Sequence, residues 1–318
     1  MQTEKTDRQR NDRAASTRKR CLITGGGGLI GSWLLPRIAV DYEVHSLSHS
    51  KRSGPSSDGI YWHAIDLSGE WIIQSLPERV DAVIHLAQSS HFREFPAFAG
   101  DVFNVNTAST LRLLEYARTA GAKSFVYASS GGIYGYGDEG FKEDEPIPQK
   151  DNLGFYLGTK LCSEVLAETY APYMQIIILR FFFVYGPGQR NDMLLPRLVR
   201  SVREGNPILL RGKDGIRLNP IYVEDAANAV SRALMLRDSH KINIGGAEVL
   251  SIRRIGQVIG GVLGTEPVFE AGDDAEPRHV IGDIHKMIRL LGAPEVSFEQ
   301  GIARYAEWML HGKYQEKF

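Results

Sequence analysis

The stretch from Cys21 to Gly31, CLITGGGGLIG, constrains the fold more than any other part of the chain. A short apolar strand ends in a glycine cluster that opens into a helix-length apolar segment, which is how a strand-loop-helix phosphate cradle is written. The cluster fits two frames: Gly25, Gly28 and Gly31 as G-x-x-G-x-x-G, and Gly26, Gly28 and Gly31 as G-x-G-x-x-G. In both, the glycines permit a tight turn, a close backbone approach to a pyrophosphate, and close packing of helix on strand. The helix N-terminus adds open N–H donors and the positive end of its dipole. Dinucleotide contacts are therefore expected at Gly25, Gly28, Leu29, Ile30 and Gly31.

Beyond this loop, apolar runs alternate with helix-length segments, the pattern of a parallel sheet with crossover helices. Strands are expected at 20–24, 43–47, 80–86, 123–129 and 175–184, and helices at 29–39, 101–120 and 153–171. Leu111, Leu114, Ala117 and Ala120 make a helical stripe suited to packing on a sheet or a second helix. After about residue 185 the text becomes rich in loop signals, with Pro187, Gly188, Pro196, Gly205, Pro207, Gly212 and Gly215. The fold class is therefore α/β: a Rossmann doubly wound parallel sheet over 20–185, with a smaller C-terminal substrate-binding domain. That second domain takes 186–222 and 246–318, while 223–245 returns to the sheet as helix-like Val223–Leu236 and strand-like Lys241–Gly245.

Residues 1–19 read as a disordered basic tail without an apolar stretch or a periodic face, and no function is assigned to it. Over the whole chain charge is balanced, 37 Lys plus Arg against 38 Asp plus Glu in 318 residues, so no global field favours nucleic acid or an anionic membrane. The apolar run Ile176–Tyr185 is interrupted by Arg180 and falls short of the roughly 18 residues of a membrane span. Two cysteines, Cys21 and Cys162, exclude a disulfide framework and a Cys-rich zinc site, so no metal and a reducing, cytoplasmic setting are expected.

An acidic residue about twenty positions beyond the glycine loop would hold a ribose 2′-hydroxyl. The segment there is Ser48-His49-Ser50-Lys51-Arg52, whose hydroxyls and cations suit a 2′-phosphate better, so Ser48, Lys51 and Arg52 favour NADP over NAD. Asp66 and Leu67, after an apolar run, are placed to meet the adenine. Leu86, Ala87 and Gln88 end the next strand at the same edge and are expected as further cofactor contacts, while His85 reads as a packed or hydrogen-bonded strand residue.

Tyr156 and Lys160 stand at i and i+4, on one helical face. A nearby ammonium and an oxidised nicotinamide both favour phenolate and would bring a tyrosine toward the working range of a base. Upstream, the strand ending in Ser129-Ser130-Gly131-Gly132 offers Ser130 as a donor to the substrate oxygen that Tyr156 would protonate or deprotonate.

Taken together, these motifs resemble the extended short-chain dehydrogenase/reductase family, the NAD(P)-dependent epimerase/dehydratase group that includes UDP-sugar 4-epimerases. The resemblance spans roughly residues 20–312 and is carried by Thr24–Gly31, Val83–Ala87, Asn106 with Thr110-Leu111, Ser129–Gly135, Tyr156–Lys160, Arg180–Pro187 and Arg217–Asp225. It implies Tyr156 as acid/base, Lys160 as its electrostatic partner and a ribose ligand, Ser130 as ligand of the reacting hydroxyl, and Asn106 as a supporting helix residue. Ser129 joins the implied cofactor contacts. Arg217 and Arg278 are implied as grips on the diphosphate of a nucleotide-diphospho-sugar, a task suited to a guanidinium fork. A homodimer is implied through the helices at 101–120 and 153–171.

Departures from the family pattern narrow the reaction. Gly131 and Gly132 stand where the dehydratases carry acidic residues, and the glycines are compatible with a roomy sugar pocket. Phe183 stands where sugar epimerases usually have Asn, which points to a more apolar substrate contact. Three readings stay open: a nucleotide-sugar 4-epimerase working through a 4-keto sugar, an NADPH-dependent reductase of a keto-sugar or other ketone, and a non-catalytic dinucleotide sensor.

Overall fold

The computed structural model describes residues 18–49, 54–55, 59–147, 153–272 and 278–310. Its centre is a parallel sheet built from β1 (Lys19–Thr24), β2 (Tyr42–Ser48), β3 (Ile60–Ala64), β4 (Ala82–His85), β5 (Ser124–Ser130) and β6 (Gln175–Phe181). Strands β7 (Val184–Tyr185), β8 (Ile208–Leu210), β9 (Arg217–Leu218) and β10 (Ile221–Tyr222) lie outside it, and β11 (His240–Ile244) rejoins it. The order across the sheet is β11-β6-β5-β4-β1-β2-β3, with the two-residue strand Gly54–Pro55 antiparallel on the β3 edge.

Alternation along these strands sorts side chains into two layers, as expected of a sheet covered on both faces. Cys21, Ile23, Ile84, Val126, Ile177, Leu179, Ile242 and Ile244 face one core. Helix α1 (Leu29–Ile38) and the later helices Val223–Ala233 and His285–Leu291 cover that face. Leu22, Val83, Phe125, Tyr127, Ile176 and Ile178 face the other, under α2 and α3. Helix α2 runs Ala99–Phe103, makes one π turn over Asn104–Ala108 and continues over Ser109–Thr119; α3 is Gly154–Glu168.

The buried face of α2 is Thr110, Leu113, Leu114 and Ala117, at i, i+3, i+4 and i+7. This corrects the expected stripe: Leu111 is 43% exposed, because one further step of about 100° carries it out of the packed face. The strand expected over 175–184 stops at Phe181, since Phe183 has φ +48°, a left-handed backbone that cannot continue a ladder. Strand β3 is the apolar run that precedes Asp66, with Ile60 buried, Tyr61 exposed, and Trp62 and His63 half-buried. Arg18 donates to the Val40 carbonyl at 2.6 Å and Lys19 opens β1, so the folded part starts inside the segment read as tail. Residues 1–17 lie outside the described residues.

A third core surrounds Leu195, Val199, Leu218, Tyr222, Ile255, Ile259, Ile302 and Tyr305. It is built from the C-terminal helices Leu194–Glu204, Ile252–Leu263 and Phe298–Leu310 and from small strand pairs. The sheet grows outward from β1 through β2 and β3, then restarts on its other side at β4. That reversal leaves a crevice at the carboxyl ends of β1 and β4, where open α/β sheets bind ligands.

Candidate active site

The glycine loop forms one wall of the crevice. Gly25 has φ +72°, and a Cβ built on it would stand 2.8 Å from the Ala87 nitrogen, so only glycine fits between β1 and the end of β4. A Cβ on Gly31 would overlap the Gly25 carbonyl oxygen and come within 2.6 Å of Gly26 Cα. Gly28 donates to the Gly25 carbonyl at 2.9 Å and caps α1 without a side chain, which leaves the first turn of the helix open to an anion. The frame that works is thus Gly25, Gly28 and Gly31, with Gly26 packed on the buried Ser46 hydroxyl. This cradle fits a dinucleotide pyrophosphate.

Leu86 and Ala87 are fastened to the end of β1: Leu86 N–H donates to the Thr24 carbonyl and Ala87 N–H to the Thr24 hydroxyl, each at 3.2 Å. His85 is buried between Thr24 at 2.6 Å and Thr110 at 3.0 Å, and burial pushes its imidazole down to about 3, so it is a neutral strand residue. Leu67 is buried, and the exposed Asp66 carboxylate accepts from Ser68 N–H and hydroxyl at 2.9 and 2.7 Å, bonds that hold it below the usual carboxylate range. Ser48 ends β2, half-buried, whereas Lys51 and Arg52 lie outside the described residues.

Across the crevice, α3 brings Tyr156 beside the end of β5. Its phenol is half-buried and donates to Gln88 Oε1 at 2.9 Å. Burial pushes the phenol up; the neighbouring Ser130 hydroxyl and the positive charge of Arg93 work against that rise. Ser130 also accepts from Gly132 N–H at 3.2 Å. Phenol, serine hydroxyl and glycine cradle therefore share one edge of the sheet.

Lys160 follows Tyr156 one turn along α3. It is 2% exposed, its Nζ donates to the Ala128 carbonyl at 2.8 Å, and it stands 6.0 Å from the centre of the Tyr156 ring. Burial pushes its ammonium down to about 7, with Glu164 working against the fall. Asn106 and Ser129 likewise face protein, not the cleft. Asn106 donates to Thr159 and accepts from Ser89 N–H, each at 3.0 Å, while Ser129 donates to Glu164. They hold α3 and the β4 loop in place.

Gly131 and Gly132 are explained differently from expectation. A Cβ on Gly131 would collide with the Phe182 ring, and one on Gly132 would meet Leu157 at 3.0 Å. The space they leave is filled by the protein's own side chains, so they do not enlarge a sugar pocket, and an acidic residue at 131 has no room. Phe183, half-buried, packs between the C-terminal core and the small cluster of Ile133, Tyr134, Phe182 and Val280.

Arg217 and Arg278 converge on one loop. Arg217 donates to the Asp138 carbonyl at 2.8 Å, and Arg278 lies over the Tyr136 ring at 5.8 Å. Both are exposed, and the His279 ring accepts the Arg217 N–H at 3.0 Å, tying the two segments together.

Two features escaped the sequence. One is the loop after β4, where Phe92 packs on Tyr156 at 4.9 Å and Arg93 pairs with Asp192 at 3.6 Å. The other is the buried pair Arg180–Glu164 at 2.7 Å, both 1% exposed in their side chains, beneath Ser129. A lone arginine inside an apolar strand is itself a signal that a carboxylate must meet it.

The model of the NAD dependent epimerase/dehydratase family matches residues 21–245. Among curated relatives, a UDP-glucuronate 4-epimerase of Thermodesulfobacterium geofontis is 30% identical over 309 residues, covering 90% of this chain and 95% of the relative. Among solved structures, a UDP-glucuronic acid 4-epimerase from Bacillus cereus in complex with UDP-glucuronic acid and NAD superposes with a TM-score of 0.79 at 27% identity, covering 92% and 99% of the two chains. MoeE5 in complex with UDP-glucose and NAD gives 0.78 at 28% identity and the same coverage. With the glycine cradle, the reversed sheet and the Ser130–Tyr156 pair in their observed places, the chain belongs to the NAD dependent epimerase/dehydratase family of extended short-chain dehydrogenases/reductases.

Proposed function

We propose that the protein is an NAD(P)-dependent nucleotide-sugar 4-epimerase, with a UDP-sugar as the first substrate to test. The observation that carries this reading is the Tyr156 hydroxyl beside Ser130 at the sheet edge where the glycine cradle opens. The names of the relatives, UDP-glucuronate and UDP-glucose enzymes bound to NAD, support the substrate class.

When bound, the nicotinamide supplies the redox chemistry at the fourth carbon of the sugar. Tyr156 takes the proton of the 4-hydroxyl in the first half-reaction and returns it in the second. Ser130 holds the same oxygen, so the 4-keto sugar can turn over without losing its proton donor. Arg93 opposes the rise that burial imposes on the phenol, which brings it closer to the range of a base. Arg217 and Arg278 take the diphosphate, and Phe183 offers an apolar contact to the sugar. Gly131, closed off by Phe182, supports epimerisation over a dehydratase that needs an acid there.

The absence of a carboxylate in the segment 46–49 favours NADP, and the relatives' NAD is the competing outcome of a titration with both dinucleotides. A homodimer through α2 and α3, in a cytoplasmic setting, completes the proposal. Apolar residues exposed on those helices, Phe103, Leu111 and Val165, support the dimer.

The test is product separation from UDP-, GDP- and dTDP-sugars with wild type and Tyr156→Phe. Epimer formation without net dinucleotide consumption, lost in Tyr156→Phe while dinucleotide binding persists, is the expected result. Stoichiometric use of reduced dinucleotide would replace the reading with a keto-reductase.

A further inference from the structure

We propose that Gln88 is a positioning residue for the acid/base: its side-chain carbonyl holds the Tyr156 hydroxyl aimed into the cleft, with its proton, until a sugar hydroxyl displaces it. This rests on the reading of Tyr156 given above. The geometry is a 2.9 Å bond in which the phenol donates and Gln88 Oε1 accepts. In the amide orientation the structure shows, the bond exists only while the phenol keeps its proton; a phenolate could be met only by the amide turned over, with its NH2 donating.

The placement of Gln88 is set by its neighbours. Ser89 is buried, and its N–H donates to Asn106; its hydroxyl accepts from His91 N–H at 3.0 Å. The Ser90 carbonyl accepts from Arg190 at 2.8 Å, and Phe92 packs on the Tyr156 ring. The backbone is thereby pinned on both sides of an exposed side chain, which can swing away at little cost.

Other groups around Tyr156 set the field in which Gln88 acts. Arg93, from the same loop, favours phenolate and is itself paired with Asp192. Tyr127 from β5 is a buried neutral phenol, and Lys160 from α3 is turned to Ala128. None of these accepts the Tyr156 proton. Before the first half-reaction that proton leaves to solvent, the bond to Gln88 is lost, and the phenolate then receives the proton of the sugar hydroxyl. Gln88 therefore competes with both ionisation and substrate.

The experiment compares kcat/KM against pH for wild type, Gln88→Ala and Gln88→Glu, each loaded with dinucleotide, using epimer formation from the UDP-sugar that wild type turns over. In Gln88→Ala the activity rise with pH moves down by about half to one unit, and KM falls about two- to tenfold. In Gln88→Glu a carboxylate that can only accept holds the proton harder, and the rise moves up. The tyrosinate absorbance difference between each protein and its Tyr156→Phe counterpart reports the same order without requiring turnover. An unmoved rise and an unmoved tyrosinate titration in both variants would overturn the proposal, as would a loss of dinucleotide affinity as their only change, or an upward shift in Gln88→Ala, which would show the turned amide donating to the phenolate. Tyr156→Phe separates the two levels: retained turnover there removes the acid/base reading itself, whereas abolished turnover with an unmoved Gln88 profile removes only the role of Gln88.

Discussion

The two walls of the crevice are built on opposite principles. The β1–α1 wall works by leaving side chains out: Gly25 and Gly31 sit where a single methyl would strike Ala87 or the loop's own backbone. The β5–α3 wall works by burying charge. Under Ser130 and Tyr156 lie Ser129, Glu164, Arg180 and Lys160, none more than 5% exposed. One wall is sensitive to added atoms and the other to removed partners, so mutations should separate them.

The largest effect belongs to the buried-charge wall. Glu164 accepts from Arg180 through both Nε and Nη2 and also from Ser129, joining α3 to β5 and β6. Glu164→Ala leaves the Arg180 guanidinium without its carboxylate and should cost about 3–5 kcal/mol of unfolding free energy in urea. A loss under about 1 kcal/mol would mean that Tyr134, which also bonds Arg180, carries the charge alone. Gly31→Ala should cost less, about 1–3 kcal/mol, because the helix can back away from the strand by part of the overlap. Its larger signature is functional: the backing-away opens the cradle, and dinucleotide affinity falls at least tenfold by fluorescence titration. Unchanged affinity would show that the pyrophosphate does not rest on this turn.

The same contrast decides what could be read from the chain alone. A glycine required by backbone geometry is visible in sequence because no other residue can replace it, so the strand-loop-helix cradle and the helix start at Leu29 are legible. The parallel strands were legible for a related reason: near-continuous apolar runs such as Ile176–Leu179 are what a doubly covered sheet demands. Side-chain partnerships are different, because the residues that meet lie far apart in the chain. Lys160 shares the face of the phenol, as its i+4 spacing predicts, but spacing alone does not fix the rest of its surroundings. The Ala128 carbonyl, 32 residues upstream, decides where Nζ points. Gln88 reaches Tyr156 across 68 residues, and Gly131 owes its identity to Phe182. Such contacts are set by tertiary packing and leave no periodic trace.

The smallest effect tests whether Lys160 belongs to the charged wall as an ammonium at all. Burial pushes it from 10.5 down to about 7, with Glu164 working against the fall. Between those values the unfolded chain binds a proton that the folded protein does not, so folding becomes more favourable as pH rises through that window. Below about 7 both states carry the proton and the penalty of burying the charge is present in full. Lys160→Met removes the group, so the stability of wild type relative to the variant should climb with pH. From pH 8 to pH 9 the gain is at most about 1.4 kcal/mol, the slope of one proton, read from paired urea unfolding curves. Taking the difference cancels the tyrosines and cysteines that titrate in both proteins. A flat difference would leave Lys160 charged through this range, paired with Glu164 as a third member of the buried network. The positive field at the phenol would then come from α3 as well as from Arg93.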